Sequence, residues 1–218
     1  ELFTEDVKIF HSIEETFEYF KSLNCNICAY YHNLKFDGAF WLSFLLMNKK
    51  FKQACVFKNE EQTEVEFFEE KEMKNNTFKY SISDRGQWYN IIIKVNNNII
   101  EIRDSLKLLP FSVKKIGDSF KTKHKKLNIE YAGYRYAGCN ISQEEKEYIA
   151  NDVLVVKEAL EIMFNDGHTD LTIGSCCLKE FKKTVGKYDY ESFFPDLTQI
   201  KLSEQHKYKN VDEWIRRS

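Results

Sequence analysis

The segment GQWYNIIIKVNNNIIEIRDSL, residues 86 to 106, constrains the fold most tightly. Two β-branched runs flank Asn96-Asn97-Asn98, and asparagine tolerates the backbone of a tight turn. The pattern predicts a long antiparallel hairpin, so the chain must build a sheet and cover at least one face of it. Strands are also expected at VKIFHS (7–12), CNICAYYH (25–32), EVEFFEE (64–70) and FKYSIS (78–83). Helices interleave with them. SIEETFEYFKSL (12–23) carries a capping box at Ser12 and Glu15, with Ile13, Phe17 and Phe20 near one face. AFWLSFLLMNKK (39–50) reads as a buried helix after a turn at 33–38, and FSVKKIGDSF (111–120) as a short one. ISQEEKEYIANDVLVVKEALEIMF (141–164) is a long helix capped by Ser142 and Glu145, with Ile149, Val153, Val156 and Leu160 as its core stripe. The fold class is α/β, with a mixed sheet flanked by helices.

The chain has 218 residues, 43% of them apolar, and a net charge of −2. Bulk charge therefore gives no sign of nucleic-acid binding, and any such site must be a local patch. No apolar window reaches the ~18 residues of a membrane span. Six cysteines at this length make no disulfide framework. Cys25 and Cys28 form a CxxC without a second pair to complete a zinc site, and are expected to be buried thiols. A start at Glu1 without Met suggests an excised piece of a longer chain.

The chemistry gathers where apolar runs carry polar residues. In YYHNLKFDGAFWLSFLL (30–46), Asp37 either caps the following helix or holds a metal ion at the sheet edge. Tyr148 and Asp152 stand four apart on one side of the long helix, at the rim of its stripe, where a carboxylate is desolvated unless a charge answers it. The plain alternative is a packed tyrosine and a solvated aspartate. Two half-buried carboxylates on separate elements suit a two-metal phosphodiesterase, whose ions sit ~3.5–4 Å apart. Hard oxygen ligands favour Mg²⁺ or Mn²⁺, and a tyrosine can orient the attacking water. Phe36 and Phe40 are either core residues or rings for stacking on unpaired bases. Lys107, Lys114, Lys115, Lys121, Lys123, Lys125 and Lys126 are either solvated surface or a phosphate patch.

Taken together, HNLKFDGAF, GQWY, DSLKLLPFSVKKI, YIANDVLVVKEAL and GSCCLKEFKK resemble the 3′→5′ exonuclease domain of protein-primed family B DNA polymerases, the terminal-protein-primed replicases of phages and linear plasmids. The resemblance implies a ribonuclease H-like (DnaQ-like) fold and a proofreading nuclease of single-stranded 3′ ends. Its second motif falls on Asn33, Phe36 and Asp37, with Asp37 a metal ligand. Its third falls on Tyr148 and Asp152, the water-orienting tyrosine and a ligand. His32, Asn33, Phe36, Phe40, Ser105 and Leu106 would hold the DNA strand, and Lys126 would stand beside the scissile phosphate. Two Mg²⁺ or Mn²⁺ ions, primer-template DNA, a terminal protein, a polymerase domain in cis and a bacterial host cytoplasm are implied with it.

The family's first motif, an Asp-x-Glu pair on the central strand, has no counterpart. FTEDVKIFHS resembles a segment downstream of it, and the sole Asp-x-Glu, Asp189 and Glu191, lies in a loop-like context. The expectation is a domain fragment over 1–218 with N-terminal strand(s) missing. Residues 1–165 would be its core and 166–218 a helical and loop part leading to an absent polymerase domain. The isolated chain would then be a poor nuclease. The alternative is an inactive module that binds single-stranded DNA or a priming protein.

Overall fold

The computed structural model describes residues 4, 6–59, 65–129 and 139–197. Its elements run α1 (Ile13–Ser22), β1 (Ile27–Tyr31), α2 (Leu34–Met47), β2 (Lys52–Gln53), β3 (Cys55–Phe57), β4 (Val65–Phe67), β5 (Thr77–Ile82), β6 (Trp88–Val95), β7 (Asn98–Asp104), α3 (Val113–Ser119), α4 (Gln143–Asn165), α5 (Ile173–Val185) and α6 (Lys187–Phe193). The expected α/β class holds. A five-stranded mixed sheet has the order β1-β7-β6-β5-β2, and β3 and β4 form a separate pair. The β5-β6-β7 meander is antiparallel, while β1 joins β7 in parallel with Tyr31 opposite Asp104. No strand among the described residues pairs with the other side of β1.

The hairpin forms as its sequence predicts. Asn96 and Asn97 both take positive φ, 50° and 62°, which the tight turn between right-twisted strands requires. Asn75 locks that turn: its Oδ1 accepts from the Asn97 backbone N–H at 2.7 Å, and its Nδ2 donates to Asn97 Oδ1 at 2.9 Å. Ile91, Ile93, Ile100 and Ile102 alternate onto one face and meet Phe17 of α1 and Leu34, Trp41 and Leu45 of α2 in the main core. Phe20 stacks parallel to Trp41 at 6.1 Å between centroids. Ile92 faces the other way into a smaller cluster with Ala54 and Met73.

Several local expectations change. Residues 7–10 form no strand. In α1, Ser12 accepts from the Glu15 N–H, but Glu15 reaches back to the N–H of His11 rather than of the cap. In α4 the box at Ser142 and Glu145 is complete, and Val156 and Leu160 of the expected stripe are buried, with Val155, Ala159 and Met163 beside them. Ile149 and Val153 are 38% and 52% exposed, because the inward face is turned by one residue step and starts from Tyr148 and Asp152. Cys25 and Cys28 are exposed rather than buried. Asp189 and Glu191 lie in helix α6, not in a loop.

The chain divides into two compact units, Glu1–Ile173 and Gly174–Ser218. In the second, the Phe181, Tyr190 and Phe194 rings pack at 5.2–6.2 Å between centroids. No helix among the described residues is long and apolar enough to cross a membrane.

Gly38, in the second turn of α2, sets the distance between that helix and the sheet. A Cβ there would lie 2.6 and 2.7 Å from two carbons of the Trp88 ring. Glycine inside a helix costs about 1 kcal/mol against alanine, and overpacking costs about 1–3 kcal/mol, so the clash outweighs the gain in propensity. Gly38→Ala is therefore expected to destabilise the chain, by up to about 2 kcal/mol. Urea unfolding checks this, with a lower midpoint at unchanged slope; a variant as stable as the parent would show that α2 has room to spare.

Candidate functional site

The path from β1 into α2 places five of the residues singled out in the sequence: His32, Asn33, Phe36, Asp37 and Phe40. Helix α2 begins at Leu34, five residues earlier than the sequence suggested, because Asn33 adopts the left-handed conformation, φ 70°, and opens the helix directly from the strand. Asparagine is among the few residues that tolerate this backbone. Asp37 therefore lies in the first turn of α2, not in a preceding loop. It is half-buried, and burial raises its carboxyl above the ordinary value, with its own backbone N–H as the opposing influence. Phe36 and Phe40, one turn apart, are 70% and 67% exposed, so neither belongs to the core.

His32 is held at both ring nitrogens. Nε2 lies 2.8 Å from the Phe111 carbonyl, which can only accept, and Nδ1 lies 3.0 Å from Ser105 Oγ. Burial lowers the His32 pKa, against the Phe111 carbonyl and the carboxylates of Asp104 and Asp152. Burial favours the neutral ring, with the Nε2 proton on the Phe111 carbonyl, while the single proton of the Ser105 hydroxyl is within reach of both the Tyr31 carbonyl, 3.2 Å away, and His32 Nδ1. Ser105 is fully buried, and Leu106 follows it in a short 3₁₀ turn, Ser105–Lys107. Sequence reasoning passed over Asp104. A buried carboxylate at the end of β7, it accepts from the backbone N–H groups of Asn33 and Leu106. The signal was present: an Asp-Ser pair that ends a β-branched run is a cap for the turn that follows.

The second group stands on α4. Lys126 Nζ donates to Tyr148 Oη at 2.7 Å and to Asp152 Oδ2 at 2.6 Å. Burial works against the lysine charge, but the Asp152 carboxylate and the Tyr148 hydroxyl together raise its pKa. Toward Lys126 the tyrosine oxygen is an acceptor, since the ammonium can only donate. Asp152 Oδ1 is buried and has no hydrogen-bond partner among the described residues.

The basic run 121–126 is not a loose charged loop. Glu158 accepts from the Lys123 N–H at 2.6 Å and pairs with His124, and the Asn151 side chain donates to the Lys125 carbonyl. Lys125 Nζ folds onto the Gly117 carbonyl at 2.6 Å. Asn151 and Glu158, seven residues apart and so on one face of α4, strap the loop down and aim Lys126 at Tyr148 and Asp152.

The structure thus brings Lys126, Tyr148 and Asp152 into one cluster and His32, Asn33, Ser105 and Leu106 into another. The charge of Asp152 is felt at His32. Asp37, with Phe36 and Phe40, projects from the first turns of the helix that begins beside that second cluster. Asp37 and Asp152 offer hard carboxylate oxygens, and an orphaned buried oxygen such as Asp152 Oδ1 is what a divalent cation satisfies.

Comparison with known proteins adds the lineage. The family model described as DNA polymerase type B, organellar and viral, matches residues 20–139. The DNA polymerase of Bacillus phage phi29 is 36% identical over 216 residues, which is 96% of this chain and 34% of that protein. The solved structure of Phi29 DNA polymerase complexed with single-stranded DNA superposes with a TM-score of 0.70 at 35% identity, covering 84% of this chain and 30% of that one. The same polymerase complexed with primer-template DNA gives a TM-score of 0.70 at 34% identity over 85% of this chain and 31% of that one. This chain spans about a third of the length of the curated relatives it matches.

The two carboxylates should respond oppositely to neutralisation. A folded-state pKa raised above the unfolded value stabilises below the unfolded pKa, and that stabilisation is lost as pH rises through the folded one. At pH 7 without divalent metal the Asp37 charge is thus a cost, and Asp37→Asn should raise the melting temperature. Asp152→Asn strips Lys126 of its counter-charge and should lower stability by about 1–2 kcal/mol, between exposed and fully buried pairs. Thermal melts in EDTA at pH 7 check both; equal shifts of one sign would contradict the contrast.

Proposed function

Because the chain belongs to the organellar and viral type B DNA polymerases, we propose that it is the 3′→5′ exonuclease (proofreading) domain of a protein-primed DNA polymerase, a ribonuclease H-like unit that trims single-stranded 3′ ends. The parent enzyme, on this reading, extends a primer-template in a bacterial host from a terminal protein and carries its polymerase domain in cis. Residues 1–165 are the exonuclease core and 166–218 lead toward that domain.

One observation carries the reading: Lys126 stands between the Tyr148 hydroxyl and Asp152 Oδ2, while the buried Oδ1 of the same aspartate has no hydrogen-bond partner among the described residues. A carboxylate with one oxygen engaged and the other held back from water suits a cation ligand. Asp37 and Asp152 would hold Mg²⁺ or Mn²⁺, which when bound polarise the phosphate and activate water. Every other role falls to this chain's side chains. Tyr148, its hydroxyl oxygen fixed by Lys126, would orient the attacking water. Lys126 keeps its positive charge beside the scissile phosphate. Phe36 and Phe40 stack on the last bases, at about 1–3 kcal/mol each, without reading sequence. Asn33 and Leu106 line the strand, with the neutral His32 ring between their segments.

The Asp-x-Glu pair of the family's first motif would complete the ligand set; the sole Asp-x-Glu of this sequence, Asp189 and Glu191, lies on helix α6 of the second unit. A second reading, a strand- or priming-protein-binding module without cleavage, is favoured by one observation. Among the described residues no three His, Cys, Asp or Glu side chains cluster as metal ligands.

The test uses 5′-labelled single-stranded DNA with Mn²⁺. The 218-residue chain is expected to bind the strand, weakening with salt and about 5–100-fold on Phe40→Ala. It should trim at a rate ~10³-fold or more below that of a complete site, with the residual activity abolished by Asp152→Ala. Binding without trimming would select the second reading. Failure to bind, with no shift in melting temperature on adding Mn²⁺, would refute both.

A further inference from the structure

Asp104 Oδ1 accepts two backbone N–H groups from segments far apart in the chain: Asn33 at 3.1 Å and Leu106 at 3.0 Å. The Leu106 bond is local and caps the 3₁₀ turn. The Asn33 bond reaches across the parallel β1-β7 pair, seventy-one residues back. Asp104 itself is only 4% exposed. Asn33 sits at positive φ, so its N–H leaves the β1 pairing direction and meets this one oxygen. A second cross-link runs beside it, from the Ser105 hydroxyl to His32 Nδ1. The dipeptides His32-Asn33 and Ser105-Leu106 are therefore tied together twice, once by two backbone N–H groups meeting the Asp104 carboxylate and once by the Ser105 and His32 side chains.

We propose that Asp104 is a positioning residue, whose single oxygen fixes the spacing between the His32-Asn33 and Ser105-Leu106 segments that receive the DNA strand. It touches no substrate, and the proposal rests on the strand-binding role given above. A buried negative charge near bound phosphates opposes binding on electrostatic grounds, so its value lies in the acceptor oxygen and not in the charge. An asparagine can keep that oxygen, whereas an alanine leaves two N–H groups without an acceptor.

The experiment compares Asp104→Asn and Asp104→Ala in the 218-residue chain, using a fluorescent oligothymidylate in EDTA and amide hydrogen exchange by NMR. Asp104→Asn should bind within about twofold of the parent or tighter, and Asp104→Ala about 10–100-fold more weakly. In the alanine variant the Asn33 and Leu106 amides should lose protection together, while the β6 and β7 amides keep theirs. A general loss of stability would not give that split. Binding by Asp104→Ala at the parent level, or by Asp104→Asn as weakly as the alanine variant, overturns the proposal. Independent exchange of the two amides overturns it as well. A parent chain that binds no oligothymidylate sinks the strand-binding reading instead, and the amide exchange then decides alone whether Asp104 couples the two segments.

Discussion

Everything that gathers at the site depends on the parallel pairing of β1 with β7. Parallel strands end at the same edge of a sheet, so the chain leaves Tyr31 and Asp104, opposite each other, into two loops that start side by side. That edge, beyond the carboxyl ends of parallel strands, is where open α/β sheets hold their ligands. An antiparallel pairing would have sent the His32 loop and the Ser105 loop to opposite ends of the molecule. The meander contributes by geometry as well: β6 brings Trp88 under Gly38, and the bare glycine lets α2 settle low enough for its first turn to flank the same edge.

The electrostatics of the two carboxylates are unequal. Asp152 has a cation within 2.6 Å and is a tolerable charge without any metal, although one of its oxygens stays unsatisfied. Asp37 has only its place in the first turn of a helix, where backbone dipoles favour an anion by a fraction of a kcal/mol, and burial outweighs that. The site is thus half-compensated. The α4 side is held together by the Lys126 bonds and by the Asn151 and Glu158 straps, while the α2 side carries an unanswered charge. Such an imbalance costs stability in the bare protein and leaves something for a bound cation to relieve.

Much of this was legible in the sequence, for identifiable reasons. The hairpin announced itself because β-branched residues and left-handed asparagines express local preferences that tertiary packing has no reason to override. The Ser142 cap of α4 was equally local. The start of α2 was not: a polar turn of His32, Asn33 and Lys35 before an apolar run looks like a loop, and the left-handed Asn33 that opens the helix at once is held by a bond to Asp104, seventy-one residues away. Half of the α4 stripe was legible: Val156 and Leu160 are buried as expected, whereas Ile149 and Val153, just as apolar, are exposed because the inward face there includes Tyr148 and Asp152. Lys126 needed the resemblance, because a lysine in a basic run has no distinguishing mark until two side chains of α4 hold its loop down.

The composition of α2 is the remaining puzzle, and its geometry answers it. Leu34, Gly38, Trp41 and Leu45 recur at helical spacing and are buried against the sheet, which is ordinary. The opposite side should then be polar, yet it shows Phe36, Phe40, Leu46 and Met47, all more than half exposed. Nothing in the packing of this helix calls for apolar groups there, and exposed phenylalanines cost solubility. Phe36 and Phe40 flank the desolvated Asp37, so one turn of helix presents two flat apolar rings around a single charge. A strand of stacked bases with a phosphate drawn toward a cation has that same alternation of flat faces and concentrated charge. The exposed surface of α2 is therefore explained by what binds it, on the proposed reading, and not by the fold.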